Sequence, residues 1–229
     1  MTTKLCSLVN GAKEIFREEG LLTLIKRTFS FLVYVIQSAI SYENSVFYVY
    51  GRTLKVSDEA NRMPRIQNFI HRMIETAEQL EEVRSEGFDL SLIDINQYRY
   101  RLAKGAVLSL IFVDHELACT SWSALTKEAK NTFNKYPYKV DFENGEVCGG
   151  ATWTNPKYRR QGLNYYTQYK KEQYLISKGA VRNRTIVLSN NTASQRGTIK
   201  TGNELVAKAR YIRIFGLQFW REQPVKSID

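Results

Sequence analysis

The stretch EVCGGATWTNPKYRRQGLNYYTQYKK, residues 146–171, followed by the apolar run TIVLSNNTAS, residues 185–194, decides how this chain is read. Its first part reads as a strand, then a turn at Asn155-Pro156, then a basic Gln-Gly corner that opens a helix. Paired glycines weaken strands, so Cys148-Gly149-Gly150-Ala151 inside the strand predicts a bulge or a place where another backbone approaches closely. A helix start leaves backbone N–H groups without internal partners, and the helix dipole makes that end favour anions. Arg159 and Arg160 add positive charge there. A strand followed by a basic, glycine-containing helix start is suited to holding a pyrophosphate.

Downstream, Leu163–Lys178 reads as a tyrosine-rich helix. Thr185–Leu188 reads as a short buried strand, parallel to the first and reached by a strand–helix–strand crossover. A short helix over Thr192–Thr201 and a closing strand over Arg210–Trp220 follow. Upstream, Ser45–Leu54 is rich in β-branched and aromatic residues and reads as a first strand, and Ser57–Pro64 as a polar loop. Ile66, Phe69, Ile70, Met73, Ile74, Ala77 and Leu80 recur at three- and four-residue steps, which predicts a long amphipathic helix. His71 falls off that face and reads as a solvated helix residue. A helix over Ile93–Leu102 comes next, then a hairpin over Gly105–Leu125 turning at Asp114-His115, with His115 at its tip. Thr126–Tyr138 reads as a polar connection, and Val140–Phe142 as strand material.

At 229 residues the chain suffices for one substantial domain and an appendage. Hydrophobic content of 43% and aromatic content of 12% argue against disorder. The formal charge of +10 favours acidic partners, such as nucleic acid, anionic lipid or a phosphate-rich cofactor. Cys6, Cys119 and Cys148 are odd in number and form no Cys-x-x-Cys pair, which fits a reducing compartment and argues against a disulfide framework or zinc site. With His71 and His115 alone, a three-histidine metal site is out of reach, and no metal is expected. Charged residues from Lys13 to Glu19 occupy the place where a secretory signal needs an apolar core. The cytoplasm, or the inner face of its membrane, is the expected compartment.

The organisation expected is an N-terminal helical, partly apolar segment over 1–44 and a catalytic-type domain over 45–229. Residues 21–40 are the most apolar stretch, yet Lys26 and Arg27 interrupt it. The charge-free run from Thr28 to Tyr42 falls short of the roughly 20 residues a spanning helix needs. This segment is open to packing on the domain, on a second subunit in a homodimer, or on a membrane surface with its lysines at anionic headgroups.

Residues 88–222 resemble the GNAT superfamily, the acyl-CoA-dependent N-acyltransferases. The family signature, Arg/Gln-x-x-Gly-x-Gly/Ala at a helix start after a strand, is matched by Arg159-Arg160-Gln161-Gly162-Leu163-Asn164, with asparagine in place of the last small residue. The family's later Asn, small residue and Lys-x-Gly are matched by Asn191, Ser194 and Lys200-Thr201-Gly202. Thr198 stands where the family has a Tyr. The resemblance implies an α+β fold: a central mixed, mostly antiparallel sheet, a splay between two parallel strands, and helices on both faces. It implies acetyl-CoA or another acyl-CoA as co-substrate. Thr152, Trp153 and Thr154 would hold the pantetheine arm, and residues 159–164, Asn191 and Ser194 would line the rest of the cofactor site.

Acyl transfer to an amine needs a donor for the oxyanion and a path for the amine's proton. Glu146, which begins the cofactor strand, is the leading base by sequence position, with Glu143 and Asp141 as alternatives. Thr198 is too weak an acid to reprotonate a thiolate, so either another group such as Tyr211 or Ser194 substitutes or the thiolate leaves unprotonated. Cys148 reads as inert packing. The expected function is an N-acyltransferase moving an acetyl group directly to a primary amine of a small molecule or protein. The alternative is a GNAT-fold protein without turnover, docking on an acidic membrane or nucleic acid. For nucleic acid, the nearest basic–aromatic clusters, Tyr158-Arg159-Arg160 and Lys208–Arg213, both fall inside the GNAT-like core, so nucleic acid is not the expected partner.

Overall fold

The computed structural model describes residues 20, 22–23, 25–26, 28–30 and 42–225. The chain divides into two compact units, Ser45–Tyr211 with Trp220–Asp229, and Met1–Asn44 with Ile212–Phe219. In the second of these, the described residues between 20 and 30 are helical, and Leu22, Ile25 and Phe29 are exposed. Arg213 lies 3.5 Å from Glu43 in the same unit. Of the helical segment expected over 1–44, residues 1–19 and 31–41 lie outside the described residues. Among the described residues no helix is long and apolar enough to cross a membrane.

Eight strands form one sheet in the order β2-β3-β4-β5-β6-β1-β7-β8. They are β1 Glu43–Thr53, β2 Phe69–Ile74, β3 Ala106–Val113, β4 Glu116–Ala124, β5 Glu146–Thr154, β6 Arg182–Leu188, β7 Glu204–Ile214 and β8 Leu217–Pro224. Strands β2 to β5 pair antiparallel in sequence order, β5 and β6 pair parallel, and β6 pairs antiparallel with β1. Among the described residues from 42 to 225, five α-helices accompany them: α1 Ala77–Ser85, α2 Ile95–Ala103, α3 Lys127–Phe133, α4 Leu163–Ser177 and α5 Thr192–Lys200.

Strand β3 shows why helices cover both faces. All eight of its residues are buried, and they alternate between two cores, as period-two side chains must. Leu108, Leu110 and Phe112 pack with Leu80 and Val83 of α1 and Tyr98 and Leu102 of α2. Ile111 and Val113 pack instead with Leu163, Tyr166 and Tyr169 of α4. Each such fully buried side chain contributes roughly 1.5–3 kcal/mol. The β3–β4 hairpin turns at Asp114 and His115, both with positive φ (48° and 67°), as a two-residue hairpin loop requires.

Four expectations are corrected. The long helix from Ile66 to Leu80 is strand β2 followed by α1. Phe69–Ile74 pairs with β3, and a capping box between Thr76 and Gln79 starts the helix only at Ala77. His71 is therefore a half-buried strand residue whose Nε2 lies 2.9 Å from Ser109 Oγ, and burial lowers its pKa to about 4. The connection Thr126–Tyr138 contains α3, whose N-cap Thr126 accepts from the Ala129 N–H. Residues Phe142–Asn144 form a turn of 3-10 helix rather than strand. The closing strand over Arg210–Trp220 is a hairpin, because Phe215 and Gly216 both take positive φ and reverse the chain.

Candidate functional site

Strands β5 and β6 begin side by side and then part. Glu146, Val147 and Cys148 face Arg182, Asn183 and Arg184, and there the parallel pairing stops. The next contact is a side chain reaching across, with Thr185 Oγ1 donating to the Gly149 carbonyl at 3.0 Å. Each strand then follows its other neighbour. Thr185 to Leu188 of β6 stay paired with Tyr50 to Phe47 of β1. Strand β5 stays on β4, but with one extra residue: Trp122 faces Gly150 while Thr120 faces Trp153. The surplus residue belongs to a bulge around Ala151, which takes φ 46°. A bulge bends its strand and increases the local twist, and this one turns β5 away from β6. The strand glycines thus mark a real bulge, one residue further on.

The parting leaves a groove of about 610 Å³. Gly149 to Thr154 form one wall and Thr185 to Leu188 the other. Arg159, Asn164 and Gln168 close it at the start of α4, and Asn191, Ser194 and Thr198 line it from α5. Phe47 and Tyr136, 4.6 Å apart between ring centroids, also border it. The β6-facing edge of β5 beyond Gly149 therefore faces an open slot rather than a partner strand.

At the corner before α4, Arg160 and Gly162 both have positive φ (65° and 89°), which turns the chain sharply into the helix. No side chain caps that helix, so its first-turn N–H groups are left for an external acceptor. Gly162 is required twice over: its conformation disfavours a side chain, and a Cβ there would lie 3.3 Å from Pro64 Cα. Arg159 Nε donates to the Thr154 carbonyl at 3.2 Å, tying the basic corner to the end of β5.

Beneath the bulge lies a group that the sequence reading did not select. Lys171 of α4 is 3% exposed. Its Nζ lies 2.8 Å from Ser121 Oγ, 3.0 Å from the Trp122 carbonyl and 3.5 Å from Gln168 Oε1. Among the described residues no carboxylate pairs with it; the adjacent Glu172 is taken by Arg52 at 2.6 Å. Burial without a counter-ion lowers its pKa to about 8. A Cβ at Gly149 would meet this ammonium at 3.2 Å, so the glycine leaves room for it.

Of the expected cofactor residues, Thr152, Trp153, Thr154, Arg159, Asn164, Asn191 and Ser194 border the groove together. Arg160, Gln161, Gly162 and Leu163 do not border it; Leu163 is in the core and the Gln161 carbonyl accepts from the Arg65 N–H at 2.8 Å. Asn191 Oδ1 caps α5 by accepting from the Ser194 N–H at 3.1 Å. Glu146 stands in the paired half of the strands and accepts from the Asp141 N–H at 2.9 Å, and it does not border the groove. Tyr211, 1% exposed, is core. Burial raises the Cys148 thiol to about 11, so it stays protonated. Among the described residues no cluster of three or more His, Cys, Asp or Glu could hold a metal ion.

No family model matches the chain, and no curated protein matches it. Solved structures do. A tandem GNAT protein from the clavulanic acid biosynthesis pathway superposes with a TM-score of 0.50 at 12% identity, covering 80% of this chain and 55% of that one. A GCN5-related N-acetyltransferase from Sphaerobacter thermophilus gives 0.48 at 13% identity, over 85% of this chain and 56% of that one. A GNAT-family acetyltransferase from Colwellia psychrerythraea gives 0.47 at 12% identity, over 79% and 57%. The chain thus spans little more than half the length of these structures. It has the GNAT fold.

Proposed function

We propose that this protein is an N-acyltransferase that moves an acetyl group from acetyl-CoA directly to a primary amine. The observation that carries the reading is the parting of β5 and β6 into a groove that ends at an uncapped, arginine-flanked helix start. In this reading the pantetheine arm lies along Gly150–Thr154 as a missing strand would, using backbone groups that β6 leaves unpaired. The pyrophosphate sits at the first turn of α4 beside Arg159 and Asn164, where free N–H groups and the dipole favour anions. A β5 N–H facing the slot receives the thioester oxygen as negative charge develops on it. The acceptor enters from the side bordered by Tyr136 and Phe47. Exposed Leu22, Ile25 and Phe29 support peripheral contact with the inner membrane face as part of this proposal.

Calorimetric titration with acetyl-CoA tests the site. Binding of micromolar order, about −8 kcal/mol, is expected. Arg159→Glu is expected to weaken it by about tenfold, roughly 1.4 kcal/mol, through charge reversal at the pyrophosphate. This exposed position is a better probe than Gly162, where any side chain would also strain the corner. Absence of heat from wild type and variant alike would sink the proposal. Tight binding without acetyl loss to any amine would favour the second reading, a GNAT-fold binding protein, which Thr198 in place of the usual tyrosine supports.

A further inference from the structure

The groove holds no carboxylate on its lining, yet an amine acceptor reaches neutral solution as an ammonium and must lose a proton before it can attack. What the groove does hold is a hydroxyl that connects inward. Thr152 is exposed on the bulged segment of β5 and borders the slot. Its Oγ1 lies 2.7 Å from Ser121 Oγ, which is fully buried on β4. Ser121 Oγ in turn lies 2.8 Å from Lys171 Nζ. The three groups form an unbroken chain from the exposed Thr152 to a buried amine whose own residue also borders the groove.

Resting on the acyl-transfer reading above, we propose that Lys171 is the terminal proton acceptor of the reaction, reached from the groove through the hydroxyls of Thr152 and Ser121. The arrangement accommodates both protonation states. As an ammonium, Lys171 donates to Ser121 Oγ, the Trp122 carbonyl and Gln168 Oε1, three acceptors for three hydrogens. As a neutral amine it keeps the last two bonds, and its lone pair accepts from the Ser121 hydroxyl, which accepts from Thr152. The acceptor ammonium gives a proton to Thr152 Oγ1, Thr152 passes its own to Ser121, and Ser121 passes its own to Lys171. The freed amine attacks the thioester carbonyl, and its nitrogen bonds the acyl carbon. The C–S bond breaks, the second nitrogen proton goes to the leaving thiolate, and Lys171 returns its proton to solvent along the same chain.

The surroundings suit a group that changes charge. Facing Lys171 are Cys119 on β4, Cys148 on β5 and Arg52 on β1, the last already paired with Glu172 on the helix of Lys171 itself. Burial raises both thiols, so they stay neutral at pH 7. The cost of burying the ammonium is thus not offset by a fixed anion, and the neutral form is accessible near physiological pH.

The test follows the 13Cε resonance of Lys171, assigned by its loss in Lys171→Met, from about pH 6 to about pH 11. The expected midpoint is within about one unit of pH 8, far below an ordinary lysine at about 10.4. Release of CoA from acetyl-CoA, with propylamine as probe acceptor, should rise with pH through the same midpoint, because the neutral form is the base. Lys171→Met should lower that release about 100-fold and Ser121→Ala about tenfold, both with acetyl-CoA affinity within about threefold of wild type, and Thr152→Val should lower release about tenfold. A midpoint above about pH 10, a Ser121→Ala protein with wild-type rate and pH profile, or a wild-type rate no faster than buffer would each overturn the assignment. Failure of the wild type to bind acetyl-CoA would instead overturn the acyl-transfer reading, and the role of Lys171 with it.

Discussion

The two halves of the β5–β6 pair are built from one continuous piece of chain, yet they do opposite things. In the first half, Glu146–Cys148 and Arg182–Arg184 are hydrogen-bonded partners, and Val147 packs with Leu54, Leu175 and Ala180. In the second half, Gly149–Thr154 and Thr185–Leu188 keep ladder pairing only with their outer neighbours, the Thr185 hydroxyl reaches across to the Gly149 carbonyl, and a groove lies between them. One extra residue, held at positive φ at Ala151, separates the two behaviours. The lesson is that an open slot in a sheet needs no missing strand. It needs a register shift that lets each edge be satisfied on one side and left open on the other.

This contrast can be broken outright. Deleting Ala151 should restore regular pairing with β4 and let β5 continue along β6, closing the slot. Acetyl-CoA affinity should fall by about 100-fold or more, roughly 2.7 kcal/mol, as read by calorimetry. An unchanged affinity would mean that the bulge does not make the groove. A milder change separates stability from binding. Val147→Ala removes packing from the closed half and should cost about 2 kcal/mol in urea unfolding. Its acetyl-CoA affinity should stay as in wild type, and a parallel loss of binding would show that the closed half is part of the site. Smallest of all should be Glu146→Gln, because this carboxylate lies outside the groove and accepts a loop N–H. CoA release should stay within about twofold of wild type; a loss comparable with Lys171→Met would return the role of base to Glu146.

The legible parts of the fold were those whose signal is local. The Asp114-His115 turn, the strand 146–154 and the helix opening at Gly162 each follow from a few adjacent residues. The stretch 66–80 misleads because an apolar spacing that fits one helical face also fits a strand running into a helix. Pairing of Phe69–Ile74 with β3 decides it, and Thr76 moves the helix start to Ala77. The site divides in the same way. The basic corner and Thr152–Thr154 were readable as a motif. Lys171 left one trace: Leu163, Thr167, Lys171 and Leu175 recur every four residues, a buried stripe with a lysine in it.

The sequence by itself determined that β5 would be interrupted near Gly149-Gly150 and that a basic helix start would follow, since glycine pairs and helix termini act through their own backbone. Only the tertiary structure decided that Ser121, 31 residues before Thr152 and 50 before Lys171, joins those two into one chain. It also decided that Glu146 stands apart from the groove. Both outcomes depend on which strands pair and where the register shifts, and those contacts join residues whose separation along the chain carries no local preference.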